Sequence, residues 1–289
     1  MLPAPFEYHR PETLEEALQL LAEHGEEAKV LAGGQSLIPL MKLRFAAPER
    51  LIDVNRIAGL DAIEERDGSL RIGALVRHHQ LVSSEVIKDR YPTVAAAAPM
   101  ISDPIVRNLG TIGGSLAHAD PSGDLASVML ALGATIVVRS RDGEREIAAT
   151  ELAAGPFQSS IGPAELLTEV RVPSPGPRSG GTYLKLERKV GDFATVAVAV
   201  SLTLENGSIG RAGIGMTSVG LTNLKAEAAE AALAGASPGE EAWGEAGRRA
   251  AEAAEPTTDV RGSADYKRHM VDVYVRRGLA AAAEMAGAA

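Results

Sequence analysis

The chain has 289 residues, 45% of them hydrophobic and 23% charged, with a formal net charge of −9 at pH 7 and a pI near 5.3. That length allows one large domain or two to three smaller ones, and that acidity disfavours nucleic acid and anionic membrane surfaces as partners. Cysteine is absent, which excludes disulfides, thiolate nucleophiles, zinc–thiolate sites and cysteine-ligated iron–sulfur clusters within this chain.

The first predicted element is a helix in "TLEEALQLLAEHG", where Leu14, Ala17, Leu18 and Leu21 recur at helical spacing. Thr13 and Glu16 form a capping-box pattern and Gly25 is a stop signal. "AKVL" (28–31) reads as a buried strand running into Gly33 and Gly34, followed by a helical segment in "SLIPLMKLR" (36–44). "RLIDV" and "AIEE" read as strands, with an Asp67-Gly68 hairpin signal after them. The pattern from Arg77 to Met100 is helical, as is "DLASVMLALG" (124–133), and "ATIVVRS" and "ELLTEVRVP" (165–173) read as strands.

"PSPGPRSGG" (173–181) holds three prolines and three glycines in nine residues and reads as a linker. Beyond it, "TYLKLERK", "TVAVAVSLTLE" and "IGRAGIGMTS" read as three strands, the last two turning at Asn206-Gly207. Three alanine-rich helices are expected from Leu224 to the end. The fold class is α+β, with a boundary near residue 176. The start, "MLPAPFEYHR", lacks a basic segment followed by an apolar core, and no run reaches the ~18 apolar residues that span a bilayer. A soluble, cytoplasmic protein without a transmembrane segment is the expectation.

Two segments carry the chemistry. In "LAGGQS" (31–36), glycine lets the backbone come within hydrogen-bonding distance of a ligand, and consecutive N–H groups there make an anion site. Gln35 and Ser36 add side-chain donors. "TIGGS" (111–115) repeats the pattern, with Thr111 and Ser115 as hydroxyl donors. Two such loops suit the two phosphates of a pyrophosphate; neither is a P-loop and neither is the G-x-G-x-x-G fingerprint. Taken one at a time, each also reads as a tight turn.

"AGGQSLIPLMKLR" and "TIGGSLAHADPSGDL" resemble the two FAD-binding signatures of the flavoprotein (medium) subunits of molybdenum hydroxylases. That family includes aerobic carbon monoxide dehydrogenase and the FAD segment of xanthine dehydrogenase. The likeness runs from "FEYHRPETLEEAL" to the C-terminal helices. It implies a p-cresol methylhydroxylase-type FAD-binding domain at 1–175, made of two α+β subdomains (about 1–57 and 58–175). A C-terminal domain at 176–289, a three-stranded antiparallel sheet with helices, would close over the flavin.

The resemblance also implies noncovalent FAD, held by Leu31, Ala32, Gly33, Gly34, Gln35, Ser36 and Leu37 together with Thr111, Ile112, Gly113, Gly114 and Ser115. Asp124 matches a cofactor-binding aspartate, Leu167 and Lys185 match positions near the flavin, and Phe193 matches an aromatic beside the isoalloxazine. Phe193 stands where some members have tyrosine, and Gln35 where carbon monoxide dehydrogenase medium subunits have histidine. No residue is assigned a catalytic or metal-binding role. The implied complex has a small subunit with [2Fe-2S] clusters and a large molybdenum-cofactor subunit, as a dimer of heterotrimers that passes electrons to a quinone or NAD. Such a complex would lie in the cytoplasm or at the inner membrane face. The leading reading is a carbon monoxide dehydrogenase medium chain; a purine, nicotine-like or aromatic acyl-CoA hydroxylase subunit is the alternative. A self-contained flavoenzyme of the same fold is the rival, though no acid placed for flavin N5 stands out.

His118 and Asp120 in "AHADP" read as turn-stabilising beside the cofactor, since no third metal ligand stands at convincing spacing. His78 and His79, being adjacent, read as surface residues. Trp243 reads as packed in a C-terminal helix.

Overall fold

The computed structural model describes residues 2–287. Its first unit is a parallel sheet of β1 (Glu7–His9), β2 (Ala28–Leu31) and β3 (Arg50–Asp53), in the order β1–β3–β2. Parallel neighbours need crossovers, and α1 (Leu14–His24) and α2 (Leu37–Leu43) supply them. Ala17, Leu18 and Leu21 form the apolar face of α1 and pack with Ile52 and Val54. The Thr13 hydroxyl accepts from the Glu16 N–H at 3.2 Å, one half of the capping box expected there, while the Glu16 carboxylate accepts from the Glu12 N–H at 2.9 Å in place of that of Thr13.

The second unit is an antiparallel sheet ordered β4–β5–β10–β6–β7, in which five of the strands β4 (Ile63–Arg66), β5 (Ser69–Gly73), β6 (Thr135–Ser140), β7 (Gly143–Ala148), β8 (Ala153–Gly155), β9 (Gln158–Ser159) and β10 (Leu166–Pro173) take part. β8 and β9 form a separate ribbon after the short helix α9 (Ala149–Leu152). Between β5 and β6 run α3 (His78–Ser83), α4 (Glu85–Arg90), α5 (Pro92–Ala97), α6 (Pro104–Leu109), α7 (Ile112–His118) and α8 (Asp124–Leu132). The helical stretch expected from Arg77 is thus broken, first at Ser84, whose backbone is extended, and again ahead of Pro92.

The third unit is an antiparallel sheet of β11 (Ser179–Leu186), β12 (Val196–Glu205), β13 (Ser208–Thr217) and β14 (Leu224–Lys225). It has four strands, not the three expected: β14 pairs Leu224 with Met216 and Lys225 with Gly215, and is too short to show a period. The helices α10 (Glu227–Leu233), α11 (Glu240–Ala253) and α12 (Ala264–Met285) follow, and residues 288–289 of the expected helical end lie outside the described residues. Trp243 is buried in α11 as expected.

The expected linker is also shorter than its composition suggested. Ser179, Gly180 and Gly181 are already paired with Thr203, Leu202 and Ser201 of β12. Those two glycines serve close packing: a Cβ on Gly180 would overlap the Ala282 carbonyl of α12, and one on Gly181 would overlap the Thr93 hydroxyl of α5. The sheet is thereby covered on both faces. Ala197 and Ala199 of β12 join the core of the second unit, while Val196, Val198 and Val200 join the core with α11 and α12. On β13, Gly213 and Gly215 let α8 lie directly on the strand, since a Cβ on either would overlap a carbonyl of Ala131 or Ser127. The α+β class holds, and the last unit is packed onto the second through bare backbone.

Candidate cofactor site

The first glycine segment leaves β2 at Leu31 and enters α2 at Leu37. Among the described residues, the N–H groups of Ala32, Gly33, Gly34, Gln35 and Ser36 have no hydrogen-bond acceptor in the protein. Gly34 has φ +72°, a conformation that glycine adopts without strain. Gly33 is bare for a different reason: a Cβ there would lie 2.5 Å from the Leu109 carbonyl oxygen and 2.7 Å from Gly110 Cα. The segment therefore presents a row of free donors against the main chain that leads into the second one.

The second segment is organised otherwise. Thr111 is the N-cap of α7, and Gly113 and Gly114 lie in its first turn with no positive φ. Its N–H groups are already used: Ile112 donates to Val76 at 3.0 Å, Gly113 to Ala74 at 3.0 Å, Gly114 to the Thr111 hydroxyl at 3.1 Å and Ser115 to the Thr111 carbonyl at 3.0 Å. The expectation of a second open loop of N–H donors is therefore corrected. Antiparallel bonding with 74–78 consumes the Ile112 and Gly113 groups and the Thr111 cap consumes those of Gly114 and Ser115, and the segment offers a bare surface at Gly114 and the Ser115 hydroxyl instead. It does meet the first segment, since a Cβ on Gly114 would stand 3.7 Å from Ala32 Cβ.

Phe193 lies at the other end of α6. A Cβ on Gly191 would lie 2.9 Å from the Ser102 carbonyl, just ahead of α6, whereas Gly33 abuts Leu109 at its last residue. Six helical residues separate the two ends, a rise of about 9 Å. Phe193 is 54% exposed, so its ring is free to stack, and its backbone is tied by Arg261, which donates to its carbonyl at 2.5 Å. Phosphate-type donors at one end and an exposed ring at the other fit an elongated ligand.

The remaining expected site residues lie inward. Asp124, the first residue of α8, accepts from the Tyr183 hydroxyl at 2.6 Å and from Lys185 Nζ at 3.1 Å. Lys185 also donates to the Met100 carbonyl at 2.9 Å, and its side chain is 1% exposed. Burial pushes the Asp124 carboxyl up from the usual carboxylate range, against the pull of Lys185 and the Tyr183 hydrogen bond. Burial beside that carboxylate likewise raises the Tyr183 phenol. Leu167 is buried in the apolar core of β10, which leaves its main chain as the part able to meet a ligand: β5 stops opposite Glu169, short of it.

Three further residues were not foreseen. Asn55 donates to the Ala32 carbonyl at 2.8 Å, and Arg77 donates to Asn55 Oδ1 at 2.6 Å and to the Leu109 carbonyl. Tyr183 is the third. Asn55 follows Asp53 in an Asp-x-Asn turn pattern, the one sequence signal available for it. The surface reading of His78 is corrected: it is 5% exposed, with Nδ1 buried and unpartnered, while His79 is exposed. His78 starts α3 under Gly110, and burial, then Arg107 and Arg77, lower its pKa to about 4. His118 packs against Phe157 with ring centroids 5.2 Å apart and planes tilted by 51°, and Asp120 accepts from the Ser122 N–H at 2.8 Å, a turn-stabilising bond as expected.

The family model described as the FAD binding domain in molybdopterin dehydrogenase matches residues 4–175, which contain both glycine segments. The chain belongs to this family. Its remaining part, residues 181–282, matches the model of the CO dehydrogenase flavoprotein C-terminal domain. The carbon monoxide dehydrogenase medium chain of Afipia carboxidovorans is 40% identical over 96% of this chain and 97% of its own length. Subunit alpha of the 6-hydroxypseudooxynicotine dehydrogenase complex of Paenarthrobacter nicotinovorans is also 40% identical, over 98% and 96%. A solved structure of carbon monoxide dehydrogenase from Hydrogenophaga pseudoflava, lacking the Mo-pyranopterin moiety, superposes with a TM-score of 0.96 at 43% identity, covering 99% of both chains. As a member of this family, the chain is a flavoprotein subunit of a molybdenum hydroxylase, an oxidoreductase that works within a multi-subunit complex. Among the described residues, no helix is long and apolar enough to cross a membrane.

Proposed function

We propose that the chain is the FAD-bearing medium chain of an aerobic carbon monoxide dehydrogenase. The observation that carries the cofactor assignment is the row of unpaired N–H groups from Ala32 to Ser36, set against the main chain of Leu109 and Gly110. Unpaired N–H groups of this kind are costly unless a ligand or water accepts from them. Those groups, with the Gln35 and Ser36 side chains and the flanking Leu31 and Leu37, would bind the pyrophosphate. Thr111 to Ser115 would form the facing wall, with Ser115 Oγ as donor. Phe193 would cover one face of the flavin by stacking, with no phenolic hydrogen bond to offer. Asp124, Lys185 and the main chain of Leu167 would support the ring end, the carboxylate being held in place by Tyr183 and Lys185. The domain division that fits is 1–175 for cofactor binding and 176–289 for closure over it.

Bound FAD accepts electrons singly and delivers them as a pair. Lacking cysteine, this chain supplies no iron–sulfur cluster of its own. A small [2Fe-2S] subunit and a large molybdenum subunit therefore complete the relay, in a dimer of heterotrimers in the cytoplasm that passes electrons to a quinone or NAD. The second reading, a subunit of an N-heterocycle hydroxylase, rests on the equal identity to the 6-hydroxypseudooxynicotine relative.

The test is anaerobic flavin reduction by the chain alone and by the chain reassembled with its two partner subunits. Carbon monoxide should bleach the flavin of the assembled complex and leave that of the isolated chain yellow, while dithionite bleaches both. Bleaching by an N-heterocycle and not by carbon monoxide would establish the second reading. Substrate-driven bleaching of the isolated chain would make it a self-contained flavoenzyme.

A further inference from the structure

We propose that Asn55 and Arg77 form a clasp that sets the spacing of the two glycine segments and aims the Gly33 N–H at the cofactor phosphates. The inference rests on the FAD reading above and adds two positioning residues to it.

The clasp is a continuous chain of hydrogen bonds between the two walls of the site. Asn55 Nδ2 donates to the Ala32 carbonyl at 2.8 Å, and its Oδ1 accepts from Arg77 Nη2 at 2.6 Å. Arg77 Nη1 donates to the carbonyl of Leu109, the same carbonyl that a Cβ on Gly33 would strike. The Asn55 amide is oriented from behind by Asp53, whose Oδ1 accepts from its N–H at 2.9 Å and from Nδ2 at 2.6 Å. Asp53 Oδ2 in turn accepts from the Tyr8 hydroxyl at 2.5 Å. Arg77 is oriented by its own backbone, whose N–H donates to Gln80 Oε1 at 2.7 Å.

The consequence for the site follows from peptide geometry. In a trans peptide the carbonyl oxygen and the following N–H point in opposite directions. Holding the Ala32 carbonyl toward Asn55 therefore turns the Gly33 N–H away from Asn55, where it has no acceptor in the protein. Arg77 holds the opposite wall at the crossing point. Only a planar fork can serve both acceptors at once; a lysine ammonium on a flexible stem reaches one of them.

The experiment measures FAD affinity on the full chain, stripped of flavin and titrated by flavin fluorescence. The variants are Asn55→Ala, Arg77→Lys and the pair, each with its apo-protein melting temperature and the phosphorus NMR spectrum of the bound cofactor. Each single variant should raise Kd roughly ten- to a hundredfold, the range expected for lost hydrogen bonds to charged groups. The pair should cost no more than the worse single change, because both break one chain. The pyrophosphate resonances should shift in Asn55→Ala, a change that loss of overall stability does not produce. Full affinity in Arg77→Lys would show that charge alone matters and would overturn the clasp. So would additive losses, or unshifted resonances in Asn55→Ala. A wild-type chain that takes up no FAD would overturn the cofactor reading itself, a distinct result.

Discussion

Gly33 stands directly against Leu109: a Cβ on Gly33 would fall 2.5 Å from the Leu109 carbonyl oxygen. The contact brings β2 and α6 together, elements separated by more than seventy residues of chain, and it lies at one end of the proposed cofactor site. Gly33→Ala must push the two main chains apart. Overpacking of this kind costs ~1–3 kcal/mol, and FAD affinity should fall by roughly ten- to a hundredfold in a fluorescence titration. Gly114→Ala should be milder, because its Cβ would meet the Thr111 hydroxyl at 2.8 Å and Ala32 Cβ at 3.7 Å, and no main-chain atom. Equal affinity in Gly33→Ala and wild type would remove the contact from the binding site.

The cofactor should be noncovalent. Acid precipitation should leave the yellow chromophore in the supernatant, and a mass spectrum of the denatured chain should show no flavin adduct. His118, at the end of the helix that Thr111 caps, packs against Phe157. Colour in the pellet would contradict this.

His78 predicts a pH dependence of stability. Burial, with Arg107 and Arg77 adding to it, lowers its pKa from 6.5 to about 4. Between those values the unfolded chain binds the proton and the folded chain does not, so stability is full above pH 6.5 and is lost as pH falls toward 4. The loss across this window is roughly 3 kcal/mol. His78→Leu removes the titrating group, and Nδ1 has no partner to lose. Urea melts of the two chains should diverge in slope between pH 6.5 and 4, the variant losing less. Parallel pH profiles would rule out His78 as the source.

The Asp124–Lys185 pair joins the second unit to the third. Asp124→Leu leaves the Lys185 ammonium, 1% exposed, with Glu187 at 3.6 Å as its remaining carboxylate. Breaking a buried pair from one side costs ~3–5 kcal/mol, and chemical denaturation should show the lower part of that range because Glu187 stays. Tyr183→Phe removes one hydrogen bond to the carboxylate and should cost ~1–3 kcal/mol. A loss under about 0.5 kcal/mol in Asp124→Leu would mean that the pair does not hold the units together.

The sequence by itself determined the α+β class, the alternation of helices and strands, both glycine segments and the family they mark. These are local signals: a period of apolar residues, a cap at Thr13, a turn at Asn206-Gly207, and motifs read along the chain. Tertiary structure decided which of those groups are free. The N–H donors of Ala32 to Ser36 and those of Ile112 to Ser115 look alike in sequence, yet Val76 and Ala74 take up those of Ile112 and Gly113, the Thr111 cap takes up those of Gly114 and Ser115, and the first set stays open. The partners of Ile112 and Gly113 are distant in sequence, so no local pattern reports that part of the accounting. The same reason hid Asn55, Arg77, Tyr183 and the burial of His78, whose roles exist through contacts made by other elements. Gly213 and Gly215 read as ordinary strand residues until α8 is laid across them.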